Sequence, residues 1–161
     1  MSLTSKLVWT AVIVGGIVYI GRNTDSTAGA ATDTAPIPAD YQRHYEAAAG
    51  TCPHMDAPLL AAVGKIETNH GRSTLPGVRS GANSAGAAGP MQFLPATFKT
   101  MRARHPDIGP DQYDPATAIR AAAHYLCDSG VADGDVRRAL LTYNHSSKYA
   151  SDVQAQARAY R

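Results

Sequence analysis

Apolar positions along the chain fall into one continuous run near the N-terminus and then into a series of short helical repeats. Residues 7–21 (LVWTAVIVGGIVYIG) form an uncharged run between Lys6 and Arg22. At 1.5 Å per residue, about 15 residues span roughly 22 Å as a helix, short of the ~30 Å hydrocarbon core of a bilayer. Residues 1–22 are therefore expected to be a short transmembrane anchor with snorkelling flanks, or the apolar region of a secretory signal. Ala28-Gly29-Ala30 offers a small-residue cleavage site, but Arg22 and Asp25 separate it from the run, which favours an uncleaved anchor. Residues 23–40, rich in Thr, Ala, Asp and Pro with almost no large apolar side chain, read as a flexible linker.

From residue 41 to residue 161 the pattern predicts one small, mainly α-helical domain. A first helix over 41–50 ends at a glycine. Asp56-Ala57-Pro58 is a strong helix start, with an acid at the N-cap and proline where its missing N–H costs nothing. Leu59, Leu60, Ala62, Val63 and Ile66 carry that helix to a stop at Gly71. Residues 72–90, thick with Gly and Ser, are expected to be loop or a short β-hairpin. Further helices are predicted over 93–104, opened by Pro95, and from Asp114-Pro115 to about Ser129, stopped by Gly130. Two more follow, over 135–144 and 148–160.

Composition narrows the function. Fifteen basic residues against 13 acidic ones leave a net charge of +2, which argues against a dedicated nucleic-acid binder with its basic stripe. Only two glutamates occur, Glu46 and Glu67, although glutamate is a favoured residue on exposed helix faces, so the position of each is informative. Cys52 and Cys127 fit one disulfide or two separate buried thiols, and neither sits in metal-ligand spacing. A disulfide would place the domain outside the reducing cytosol.

Chemistry concentrates in three places. Leu60, Val63 and Glu67 lie at i, i+3 and i+7, so they share a helix face and set the Glu67 carboxyl on the apolar side at the last turn. A carboxyl partly withdrawn from water is pushed towards neutral pKa, as a general acid requires; the alternative is a solvated carboxylate, or one paired with Lys65 or Arg72. The stretch from Ser84 through Gly86 and Gly89 to Met91, Gln92 and Phe93 combines small residues with one amide, one thioether and one aromatic ring. Its glycines admit a bulky ligand to the backbone, and an N-acetylated sugar matches the amide and apolar groups; the plainer alternative is a turn leading into a helix. Tyr143-Asn144-His145-Ser146 adds hydroxyl, amide and imidazole groups at a helix end, where Asn and Ser also serve as caps. His70 and His145 lack partners at metal spacing, so surface or supporting roles are expected. Asp107, Asp111 and Asp114 do not follow the spacing of a calcium loop and read as loop and cap residues.

In this order the segments resemble the lytic transglycosylases of peptidoglycan, close to their membrane-bound type-B branch with a lysozyme-like catalytic domain. The matching stretches run from Lys65-Ile66-Glu67-Thr68-Asn69-His70-Gly71-Arg72 to Gly86-Ala87-Ala88-Gly89-Pro90-Met91-Gln92-Phe93-Leu94-Pro95. Asp114-Pro115, Ala122-Ala123-His124-Tyr125-Leu126 and Leu141-Thr142-Tyr143-Asn144 follow, then Tyr149, Val153 and Tyr160. The resemblance implies an α+β lysozyme-like fold, the Cys52–Cys127 pairing seen in secreted members, and Glu67 as the single catalytic acid/base. It implies substrate contacts at Thr68, Ser84, Gly86, Met91, Gln92, Phe93, Tyr143 and Asn144, with no metal and no cofactor. Thr68 departs from the serine usual in the family but keeps the hydroxyl.

The expected reaction cuts the MurNAc-β-1,4-GlcNAc bond without water and closes a 1,6-anhydro ring on MurNAc. A hydrolytic muramidase on the same fold and a non-catalytic wall-binding module are the alternatives. The expected partners are the peptidoglycan strand and the membrane, through the N-terminal segment. Cell-wall, secretion or conjugation machinery would also suit a short anchored enzyme acting outside the cytoplasm.

Overall fold

A computed structural model of the chain describes residues 13–14, 17–18 and 36–161. The expected anchor or signal over 1–22 and the linker over 23–40 lie almost wholly outside the described residues. Inside the apolar run, Ile13–Val14 (β1) and Ile17–Val18 (β2) pair antiparallel. Among the described residues no helix is long and apolar enough to cross a membrane.

The domain itself is six α-helices, and local chemistry sets most of their starts. α1 covers Ala39–Ala48 and follows Pro38. α2 covers Ala57–Thr68; the Asp56 carboxylate accepts a hydrogen bond from the Leu59 N–H at 2.9 Å, supplying one of the partners that a helix start lacks. α3 is Pro95–Arg104, with Pro95 at its first position. α4, Pro115–Ser129, repeats the Asp-Pro start, with Asp114 accepting from the Thr117 N–H at 2.8 Å, and it stops at Gly130. A 3-10 turn at Val131–Asp133 leads to α5, Val136–Asn144, capped by Asp135, and α6, Ser147–Ala159, is capped by Ser146.

The helix expected to stop at Gly71 ends three residues earlier. Asn69 and His70 already adopt left-handed backbone (φ 52° and 57°), and Gly71 is the third such residue in succession. Between α2 and α3 the alternative of a hairpin gives way to loop: one antiparallel bridge joins Ala88 to Phe93, and no strand forms. The fold is therefore mainly α, with almost no β component.

α2 is the central helix and packs chiefly on α6 and α1, while α4 packs on α5, α1 and α3. Small residues allow the close approach. Ala121, Ala122 and Ala123 of α4 are all fully buried, and a Cβ at Gly64 of α2 would collide with the Tyr45 hydroxyl of α1. Leu60, Val63, Ile119, Leu126, Leu140 and Val153 fill the space between the helices. Cys52 and Cys127 form a disulfide that ties the turn after α1 to the end of α4.

His70 is fully buried, so of the two roles expected for it the surface one does not hold. Its ring lies between the Tyr45 hydroxyl at 2.9 Å and the Tyr160 hydroxyl at 3.1 Å, so it joins α1, the end of α2 and the C-terminal end of the chain. This is a structural tie between three segments of the chain.

Candidate active site

Glu67 occupies the last turn of α2, one turn beyond the buried Val63. Its side chain is half-buried, and the Tyr149 hydroxyl of α6 donates to Oε1 at 2.7 Å. Withdrawal from water pushes the Glu67 pKa up to about 8, against a smaller lowering by that hydrogen bond. The solvated or ion-paired alternative does not hold. Lys65 Nζ donates to Asn69 Oδ1 at 2.7 Å, Arg72 Nη2 donates to the Pro36 carbonyl at 3.2 Å, and neither lowers the Glu67 pKa.

No second carboxyl perturbs it either. Asp107 faces His124 and Arg120, Asp111 accepts from the Tyr113 N–H, and Asp114 caps α4. Glu46 is exposed on α1 and accepts from Gln42. Among the described residues, no three His, Cys, Asp or Glu side chains gather in a group that could hold a metal ion.

The tyrosines build the wall beside the acid. Tyr143 of α5 stacks parallel to Tyr149, ring centroids 6.4 Å apart and planes 4° from parallel. Its hydroxyl donates to the Met91 carbonyl at 2.8 Å, which pins the glycine-rich loop to α5. Burial, and then the nearby Glu67 charge, raise the Tyr143 pKa well above the usual value, so it stays a neutral donor. Phe93 meets the edges of Tyr143 and Tyr125 at 5.9 and 6.1 Å.

The loop is held from both ends. Thr68 Oγ1 donates to the Pro90 carbonyl at 2.7 Å and accepts from the Gly71 N–H at 2.9 Å. Gly89 has positive φ, and a Cβ there would collide with the Gln112 carbonyl, so only glycine fits. Asn83 Oδ1 accepts from the Ala85 and Ala87 N–H groups, and its Nδ2 donates to Gln92 Oε1 at 2.9 Å. Gln92 Nε2 donates to the Gly89 carbonyl at 2.8 Å, and Gln92 itself sits at φ 51°. A side-chain-bearing residue in the left-handed region costs of order 1 kcal/mol or more, and the surrounding bonds hold it there.

These contacts leave a hollow of about 120 Å³ between Gln92, Phe93, Leu94 and Thr97 on the loop side and Thr142, Tyr143 and His145 on the α5 side.

The expected substrate contacts divide into two groups. Gln92, Phe93 and Tyr143 line the hollow; Ser84 is exposed in the loop and Gly86 half-exposed. Asn144 is buried, and its side-chain Nδ2 has no hydrogen-bond partner, a costly state for a buried donor. Thr68 and Met91 are both buried. The Thr68 hydroxyl is committed to the loop, and the Met91 side chain is fully buried in the core, so only its carbonyl takes part, as the acceptor for Tyr143. Both position the site from behind.

Two positions escaped the sequence reading as parts of the site. Tyr149 is 82 residues from its Glu67 partner, and spacing gives no hint of that contact. Asn83 was legible in principle, because an Asn within a Gly/Ser-rich stretch is a ready acceptor for its own following backbone.

Residues 44–160 match the family model described as a transglycosylase SLT domain. No curated protein matches the chain.

Proposed function

We propose, from the premise that this chain belongs to the transglycosylase SLT domain family, that it cuts the glycan strands of peptidoglycan with Glu67 as its one acid and base. The observation that carries this reading is a single half-buried carboxyl with its pKa near 8 and no second carboxyl perturbing it. At neutral pH the group is mostly protonated and can donate to the oxygen of the MurNAc-β-1,4-GlcNAc bond.

A two-carboxylate glycosidase would place a nucleophile or a base across the bond. With no carboxyl among the described residues perturbing Glu67, the substrate's own N-acetyl group takes over stabilisation of the cationic sugar. The ionised Glu67, still holding the Tyr149 hydrogen bond, then takes the proton of the sugar's C6 hydroxyl. The C6 oxygen attacks C1, giving a 1,6-anhydroMurNAc end and a free GlcNAc end with no water consumed. Tyr143 and Gln92 border the sugar, and the Asn144 amide is a donor in search of an acceptor. No cofactor enters the scheme.

Peptidoglycan lies outside the cytoplasm, and the Cys52–Cys127 disulfide suits that compartment. The apolar run over 7–21 fits attachment at the membrane, as in the type-B branch.

The test is mass spectrometry of purified peptidoglycan digested by the full chain and by the Glu67→Gln variant. Products one water lighter than the hydrolytic muropeptides, absent with the variant, are expected. Products carrying the full water would make the protein a muramidase. Binding without cleavage would make it a wall-binding module.

A further inference from the structure

The turn that follows Glu67 is unusual. Asn69, His70 and Gly71 hold left-handed backbone in succession, at φ 52°, 57° and 70°. That conformation is costly for a residue with a side chain, so Asn69 and His70 have to be held in it. The backbone does part of this: the His70 N–H donates to the Gly64 carbonyl at 2.9 Å. The His70 ring does the rest.

Three tyrosines enclose that ring. Nδ1 lies 2.9 Å from the Tyr45 hydroxyl and Nε2 3.1 Å from the Tyr160 hydroxyl. The ring centroids of Tyr41, Tyr45 and Tyr160 stand 6.3, 5.8 and 6.1 Å away. A Cβ at Gly71 would strike the Tyr41 hydroxyl, as one at Gly64 would strike that of Tyr45, so both glycines make room for the cage. A neutral imidazole offers one donor and one acceptor, and a hydroxyl can be either, so both nitrogens are matched in either tautomer.

The supports of the acid pass through this turn. Thr68, next to Glu67, accepts the Gly71 N–H on its hydroxyl and the Ser73 N–H on its carbonyl, each at 2.9 Å. The helix α6, whose Tyr149 donates to Glu67, ends against Tyr160. The cage therefore ties the segment carrying the acid to α1 and to the far end of the helix carrying its partner.

We propose that Tyr45, His70 and Tyr160 are positioning residues for the acid: they fix the left-handed turn, and through it keep the Glu67 carboxyl out of water and on the Tyr149 hydroxyl. The inference rests on the reading of Glu67 as the acid. Burial is the larger influence on this carboxyl and the hydrogen bond the smaller. A loosened turn that admits water therefore lowers its pKa, although loss of the Tyr149 bond alone raises it. The ionisable groups facing the carboxyl are Tyr149 of α6 and Tyr143 of α5.

The test reads the carboxyl itself. The chain has two glutamates, Glu46 and Glu67, so carboxyl-labelled glutamate gives two carbon NMR signals, assigned with the Glu67→Gln variant. The full chain is titrated from pH 4 to pH 9 as wild type, as Tyr45→Phe, as Tyr160→Phe and as the pair together. Each substitution removes a hydroxyl and keeps its ring. In the paired variant the Glu67 signal is expected to titrate on the order of one pH unit lower, with the Glu46 signal in place as the control for unfolding. Tyr160→Phe alone should move it in the same direction, so the test stands even if the pair does not fold. In cleavage assays well below each melting transition, kcat should fall on the order of tenfold while KM holds within about twofold, because no cage residue lines the hollow.

A purely structural role lowers Tm and leaves the titration and kcat of the folded protein in place. That result, a Glu67 signal that moves to higher pH, or an unchanged kcat overturns the proposal. If the wild type cleaves through Glu67 and the signal does not move, the cage falls and the acid stands. If the signal moves and even the wild type cuts nothing, the positioning of the carboxyl stands and the enzyme falls.

Discussion

Replacing Glu67 by Gln should stabilise the domain while it abolishes cleavage, and the stabilisation should depend on pH in one direction only. The carboxyl has an ordinary value of 4.5 and sits near 8 in the folded protein. A group raised on folding contributes its full stability below the unfolded value. That stability is lost as pH climbs from about 4.5 through 8, because the unfolded chain releases the proton first. At pH 7 the unfolded carboxyl has been ionising over roughly two and a half pH units while the folded one has not. At about 1.36 kcal/mol per unit that is a deficit of about 3 kcal/mol.

Gln resembles the protonated acid, still accepts from Tyr149 and never ionises, so the variant escapes the deficit. For a domain of this size 3 kcal/mol corresponds to a Tm gain of roughly 10 °C. Thermal unfolding followed by far-UV circular dichroism, wild type beside variant from pH 4 to pH 9, reads it directly. The two should coincide near pH 4, diverge as pH rises and run parallel above pH 8. Coincident curves throughout, or a variant less stable at pH 7 than at pH 4 relative to wild type, would refute the claim that burial holds this carboxyl neutral.

Three other perturbations probe the supports of the site. Tyr149→Phe removes the hydrogen bond that lowers the Glu67 pKa, so the alkaline fall of kcat/KM should move to higher pH; an unmoved or lowered limb would show that the hydroxyl does not act on the carboxyl. Thr68→Val leaves the Pro90 carbonyl and the Gly71 N–H without their shared partner and should cost about 2 kcal/mol in urea unfolding, whereas Thr68→Ser keeps both bonds and most of the activity. Gln92→Gly relieves the left-handed backbone by about 1 kcal/mol but removes the amide, so Tm should hold steady while kcat/KM falls on the order of tenfold; equal activity would remove Gln92 from the cleft.

Local signals in the sequence carried the helices, because their starts are made by residues adjacent to them. Asp56-Ala57-Pro58 and Asp114-Pro115 act through N–H groups three residues away, so a linear reading finds them. The end of α2 was misplaced by three residues for a related reason. Gly71 looked like the stop, but Asn69 is stabilised in the left-handed region by its own N–H bonds to the Gly64 and Lys65 carbonyls. The apolar face of α2 was enough to expect the Glu67 carboxyl partly out of water, since 3.6-residue periodicity needs no tertiary knowledge. Which substrate-facing candidates point outward was not legible. Thr68 and Met91 belong to the same motif stretches as Glu67 and Gln92, and only the packing of α2, α5 and α6 turns them inward. Tyr149 is harder still, as its hydroxyl meets the acid only once α6 lies along α2.

The raised pKa of Glu67 depends on what the fold keeps away from it. An opposite charge within about 4–6 Å lowers a carboxyl by one to three pKa units, enough to leave it ionised and useless as an acid at neutral pH. Two cations, Lys65 and Arg72, lie within five residues of it in sequence, yet neither lowers its pKa. Lys65 reaches the Asn69 side chain and Arg72 the Pro36 carbonyl. The three aspartates that could have served as a second carboxylate are committed to His124, to the Tyr113 N–H and to the α4 cap. Among the described residues the Tyr149 hydroxyl is the partner, and it can serve both protonation states of Glu67. A pKa near 8 with such a partner sits close to the pH at which a single group donates a proton and then recovers one.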